Sequence, residues 1–193
     1  GEVRIESGVV EEDWEPEPVP KTTEEELMLK HVLRSNILLS GDLSGPALDT
    51  VVSVMKARDV AEGDQLFAQN DVSGTFFAVE SGTFAFMIDD KEVGTTGAGT
   101  SFGELALLFR APRAAGVVCN EAARVWELQQ EMYANITSCS FHERAEEVRQ
   151  LLKSTEILSG LTEEQLSEIA AEVQPVRFKA KTTIVRKGDS SDT

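Results

Sequence analysis

The sequence predicts an α+β fold: an eight-stranded antiparallel β-barrel of the jelly-roll kind, with helices before and after it. Two observations carry this. Between residues 58 and 128, short runs rich in Val, Phe and Thr alternate with Gly-Asp, Asn-Asp, Ser-Gly, Asp-Asp and Gly-Ala-Gly turn signals, the pattern of many short strands joined by tight turns. On either side of that stretch the apolar spacing changes to that of helices.

The elements follow in chain order. Residues 1–22 carry Glu2, Glu6, Glu11, Glu12, Asp13, Glu15 and Glu17 against Arg4 and Lys21, and then Pro16, Pro18 and Pro20. This is an acidic disordered leader, because it has too little apolar surface to offset the entropy of ordering. Thr23 with Glu26 forms a capping box, and Leu27, Met28, His31, Val32 and Ser35 recur at helical spacing behind it. A second helix starts at Ser44, with Leu48, Val51, Val52 and Met55 on one face. Phe76, Phe77, Phe84 and Phe86 are the expected barrel core, and Trp126 is expected to pack rather than to stack on a ligand. After Gln129 the chain turns helical again, with Ala145, Val148, Leu151 and Leu152 on one face.

An internal repeat sets the domain organisation. Leu43, Leu48, Val51, Met55, Val60, Leu66, Phe67 and Asp71 reappear without a gap as Leu161, Leu166, Ile169, Val173, Phe178, Ile184, Val185 and Asp189, an offset of 118 residues. That spacing belongs to a tandem array of whole domains and not to a solenoid. One complete domain over 23–153 is therefore expected, followed over 154–193 by the start of a second, truncated copy within a longer protein.

Composition excludes several functions. A formal net charge of −16 argues against a nucleic-acid surface or an anionic membrane surface, both of which require clustered Lys and Arg. Cys119 and Cys139 are too few for a disulfide framework and lack metal-ligand spacing, so reduced thiols and a cytoplasmic location are expected. No run of about twenty apolar residues is present. The glycine-rich run from Gly94 to Ser101 lacks the lysine of a P-loop and reads as a turn. No kinase catalytic loop, nucleophile elbow or zinc triad appears, and the chain is not expected to be an enzyme.

The chemistry is concentrated in residues 102–117, which read FGELALLFRAPRAAGV. Glu104 can accept from a ligand hydroxyl. Arg113 offers a planar fork of donors matched to phosphate oxygens, with Pro112 fixing its approach. Residues 105–109 are long enough for about one helical turn, whose first amides lack partners within the helix. Gly103 lets backbone approach closely, and Ala114, Ala115 and Gly116 leave room beside the arginine. A cyclic nucleotide, with its ribose hydroxyl and singly charged cyclic phosphate, meets that set of groups. The alternative is that Phe102, Leu105, Leu107 and Leu108 are simply core and that Glu104 and Arg113 pair with each other.

This stretch resembles the phosphate-binding cassette of the cyclic nucleotide-binding domains of cyclic-nucleotide-dependent protein kinases. The longer runs GTFFAVESGTF from Gly74 and IDDKEVGTTGAGTSFGE from Ile88 look most like the first domain of cGMP-dependent kinases of the protozoan, apicomplexan type. The resemblance implies ligand contacts from Phe102, Gly103, Glu104, Leu105, Ala106, Pro112, Arg113, Ala114 and Ala115, and no metal or other cofactor. It implies that cGMP, or cAMP as the alternative, is the regulatory ligand. It also implies further cyclic nucleotide-binding domains and a serine/threonine kinase catalytic domain in the same chain, held inactive until ligand binds. The helix around Val148 to Leu152 would be the hinge. Two features depart from the cGMP pattern: Ala114 has no hydroxyl to meet a guanine amino group, and Gly116 stands where Thr or Ser is usual. A barrel that has lost its ligand and serves as a spacer or docking module is the remaining alternative. A transcription factor of the catabolite-activator type would need a helix-turn-helix where this chain begins a second barrel.

Overall fold

The computed structural model describes residues 16–41, 43, 45–109, 111–155, 160–173 and 183. Most of the acidic leader, Ser44, Arg110 and most of the second repeat beyond 173 lie outside the described residues. The chain divides into two compact units, with the boundary between Phe141 and His142.

In the first unit, helix α1 (Thr23–Ser35) starts one residue earlier than the capping box read from the sequence. Thr22 is the N-cap: its hydroxyl accepts from the Glu25 N–H at 3.2 Å, and the Glu25 carboxylate accepts from the Thr22 N–H at 2.7 Å. Helix α2 (Pro46–Val54) begins behind Gly45, at φ +56°, with proline in its first turn, where a missing N–H costs nothing. Lys30 and Asp49 tie the two helices together at 2.7 Å.

The strands are β1 (Lys56–Val60), β2 (Gln65–Phe67), β3 (Thr75–Ile88), β4 (Lys91–Gly97), β5 (Ser101–Phe102) and β6 (Gly116–Gln129). All pairings are antiparallel, in the order β1-β6-β3-β4, with β2 also on β6 and β5 also on β3. There are six described strands where the sequence suggested eight, and the ladder does not close into a barrel. The reason lies in β3 and β6, each 14 residues long. Ser81-Gly82, read above as a turn, is an irregularity within β3: the register shifts between Val79 and Phe84. Gly82 adopts φ +83°, and a Cβ there would collide with Ala123.

Each long strand therefore serves two halves of the sheet. The first leg of β3 pairs with β5 and with the last leg of β6, which pairs with β1. The second leg of β3 pairs with β4 and with the first leg of β6, which pairs with β2. The inward side chains of both halves share one core: Val60, Phe77, Val79, Phe84, Phe102, Val117, Cys119 and Val125, with Phe67 and Phe86 against it. The alternate residues Phe76, Ala78, Trp126 and Leu128 face the other way and pack with α1, α2 and α4.

Helix α3 (Glu104–Phe109) follows β5, and helix α4 (Gln130–Lys153) follows β6 as one continuous helix, buried through Tyr133 and Ile136. Residues 94–97 of the glycine-rich run belong to β4, and the turn is confined to 98–100, with Gly99 at φ +79°. In the second unit, helix α5 (Glu163–Glu172) is capped by Thr162 and Gln165. It falls where the 118-residue offset carries α2, and the equivalents of Leu48 and Val52, Leu166 and Ala170, are buried in turn.

Candidate functional site

The cassette is assembled by a strand end, a turn and a short helix. Phe102 ends β5 opposite Phe77 and sits at the hub of the aromatic core. Its ring lies 5.3 Å from Phe77, 5.6 Å from Phe84, 5.8 Å from Phe86 and 6.2 Å from Phe67. Gly103 turns the chain at φ +91°, and its carbonyl accepts from the Leu107 N–H at 3.2 Å. Glu104, half-buried, opens α3; Ala106 and Leu107 are buried, whereas Leu105 is exposed. On the return, Pro112 and Ala114 are exposed, Ala115 is half-buried and Gly116 is buried.

Arg113 is 4% exposed. Its backbone is clamped to the turn before β3: its N–H donates to the Asp71 carbonyl at 2.9 Å, and its carbonyl accepts from the Asn70 N–H at 2.8 Å. The guanidinium Nη2 donates to the Thr75 carbonyl at 2.5 Å and to Ser73 Oγ at 3.4 Å. Its Cζ lies 4.0 Å from the centre of the Phe67 ring. Nε and Nη1 are buried without a partner.

No carboxylate among the described residues lies within ion-pair distance of Arg113, so the pairing of Glu104 with Arg113 raised above is not formed. Burial pushes the guanidinium below its usual range, and the more distant carboxylates of Asp71 and Glu104 pull it partly back. It remains charged all the same, since an arginine does not deprotonate in proteins. A buried cation with two unused donors is costly in isolation and suited to an anion.

All nine residues named from the sequence line one cavity of about 270 Å³, together with Phe67, Phe86, Ser101 and Val117. A second cavity of about 410 Å³ lies between the end of α1 and the turn before α3. It shares Ser101 and Glu104 with the first but lacks the arginine. Sequence reasoning missed Phe67, Ser73 and Thr75 as partners of Arg113. Phe67 stood out only as a member of the internal repeat, and no local spacing connects it to the cassette.

Gly116 has a packing reason. A Cβ there would lie 3.3 Å from the Gln69 nitrogen and 3.4 Å from the Phe67 carbonyl oxygen, so the absent side chain lets β6 and the chain after β2 approach closely. Among the described residues no group of His, Cys, Asp and Glu is arranged to hold a metal ion, and no helix is long and apolar enough to cross a membrane.

Comparison with known proteins bears on the same segment. Residues 57–138 match the cyclic nucleotide-binding domain family. The chain is 30% identical over 180 residues to cGMP-dependent protein kinase, isozyme 1, of Drosophila melanogaster, covering 91% of this chain and 23% of the kinase. It is 31% identical over 195 residues to a cAMP-dependent protein kinase regulatory subunit of Aspergillus niger, covering 94% of this chain and 47% of the subunit. It thus spans less than half the length of these curated relatives. Among solved structures, the regulatory domain of Toxoplasma gondii PKA with cAMP superposes with a TM-score of 0.55 at 30% identity, over 79% of this chain and 59% of that one.

Proposed function

We propose, for a chain that carries a cyclic nucleotide-binding domain of the cyclic-nucleotide-dependent protein kinase family, that the 270 Å³ cavity is the ligand site and that Arg113 captures the cyclic phosphate there. The domain is regulatory and not catalytic. The observation that carries the proposal is the buried Arg113 guanidinium, with Nε and Nη1 unpartnered on a side chain lining a cavity. The cyclic phosphate supplies the missing acceptors and the missing counter-charge in one group. The first amides of α3, which have no carbonyl partner inside the helix, add donors beside it. Glu104, half-buried on the cavity wall, accepts from the ribose hydroxyl.

Nη1 lies directly under Gly103. A phosphate oxygen gains that donor only if the cassette shifts, and this couples capture to movement. Leu107 and Leu108, which pack in the helical core with Tyr133 and Ile136, carry the shift toward α4. The ligand drives it only by binding the shifted state more tightly. In the whole protein, the consequence would be relief of inhibition of a serine/threonine kinase domain, in the same chain or in a partner subunit, in the cytoplasm.

For the base, cGMP is the first reading, supported by the runs around Gly74 and Ile88 and by the fly cGMP-dependent kinase among the relatives. The second reading, cAMP, is favoured by Ala114, which offers no hydroxyl to a guanine amino group, and by the regulatory subunits among the relatives. Calorimetric titration of the chain with cGMP and with cAMP, in parallel with Arg113→Ala, tests the proposal. Tighter binding of one ligand that the substitution abolishes supports it and assigns the base. Binding of neither at high micromolar concentration would leave the domain a spacer.

A further inference from the structure

The guanidinium that faces the cavity needs something to hold it in place. A salt bridge does not do this, because no carboxylate of the described residues comes within ion-pair distance. Two polar contacts, to the Thr75 carbonyl and to Ser73 Oγ, both involve Nη2 and fix only one corner of the planar group. A planar cation pinned at one corner can still pivot about it. The remaining contact is with a face: Cζ lies 4.0 Å from the centre of the Phe67 ring, with Phe77 further off at 5.9 Å.

We infer that Phe67 is the positioning residue for Arg113, its ring holding the guanidinium in the orientation that leaves Nε and Nη1 without a partner among the described residues. The ring's negative face attracts the cation, and attraction of this kind strengthens where water is excluded, as it is around a 4% exposed side chain. The aromatic edge is itself fixed. Phe67 lies 5.8 Å from Phe77 and 6.2 Å from Phe102, so the platform is part of the aromatic core of the sheet and cannot swing away with the arginine. The backbone beside it is equally constrained, because the Phe67 carbonyl sits against Gly116, where even a methyl group would be tight. A leucine at 67 would fill similar space and offer no negative face.

This inference rests on the reading of the cavity as a cyclic nucleotide site, and its test separates the two. Phe67→Leu and Phe67→Tyr are compared with the wild type for binding of the cyclic nucleotide and of the corresponding nucleoside, which lacks the phosphate. Arg113 is followed by its Nε–H resonance in the ligand-free chain. Phe67→Leu is expected to weaken the cyclic nucleotide by about three- to thirty-fold more than it weakens the nucleoside, and Phe67→Tyr to restore the affinity. The Arg113 Nε–H resonance, shifted upfield by the ring in the wild type, is expected to lose that shift in the leucine variant and keep it in the tyrosine variant. Undiminished binding by Phe67→Leu, or equal loss of nucleotide and nucleoside, overturns the inference. If the wild type binds no cyclic nucleotide, the functional reading falls, and the ligand-free resonance alone decides whether Phe67 holds the arginine: a shift lost in the leucine variant supports the contact and an unmoved resonance overturns it.

Discussion

Gly103 lies directly against Arg113: a Cβ built on the glycine would come 2.7 Å from Nη1 and 2.8 Å from the Thr75 carbonyl oxygen that the same guanidinium contacts. The glycine also holds φ +91°, a conformation that side chains rarely adopt. Gly103→Ala is therefore expected to destabilise the chain by about 1–3 kcal/mol and to displace the arginine, so that urea unfolding and ligand titration worsen together. A variant that is destabilised and yet binds with full affinity would disconnect the glycine from the site.

Replacing Arg113 by methionine keeps an apolar stem but removes the charge and the guanidinium that faces Phe67. Because no carboxylate of the described residues pairs with the buried cation, Arg113→Met is expected to melt at the wild-type temperature or a few degrees above it, while losing all stabilisation by added cyclic nucleotide. Differential scanning fluorimetry with and without ligand reads both. A loss of about 2 kcal/mol or more without ligand would instead make the arginine a structural member of the core.

The indole of Trp126, 1% exposed, donates from Nε1 to Glu80 Oε2 at 2.6 Å, and Arg124 approaches the same carboxylate at 3.3 Å. Glu80→Ala leaves that buried N–H without an acceptor and is expected to cost about 1–3 kcal/mol in urea unfolding, with Glu80→Gln costing less. The Trp126 indole N–H resonance should move in the alanine variant; if it does not, the hydrogen bond is not formed in solution.

In the second unit, hydrogen bonds from Arg149 and then Gln150 hold the Glu146 carboxyl down at about 2, against an ordinary 4.5. The unfolded chain thus takes up its proton first as pH falls. The stabilisation is complete above pH 4.5 and is lost progressively down to about 2, so acid should fray the end of α4 in that window. Carboxyl NMR titration of Glu146 reads it directly, and Glu146→Gln should remove that part of the pH dependence of helicity.

Much of the candidate site was legible because its residues are neighbours in sequence. Residues 102–109 and 111–115 form one strand end, turn, helix and return, so their spacing carries their arrangement. Phe67, Ser73 and Thr75 come to Arg113 from β2 and from the approach to and start of β3, and no spacing rule encodes partners so distant in sequence. The strand count failed for a related reason. Ser81-Gly82 has the composition of a turn, and only the close approach of Ala123 reveals that the glycine accommodates an irregularity in an unbroken strand. The capping box was displaced by one residue because Thr22 and Thr23, like Glu25 and Glu26, are interchangeable until the helix register is known.

The double clamp on Arg113, backbone to Asn70 and Asp71 and side chain to Ser73, Thr75 and Phe67, has an entropic consequence. An arginine on an open surface gives up on the order of 2 kcal/mol of rotamer freedom when it closes on a phosphate. Here those torsions are already fixed when the chain folds, so an arriving anion meets a group with little disorder left to lose.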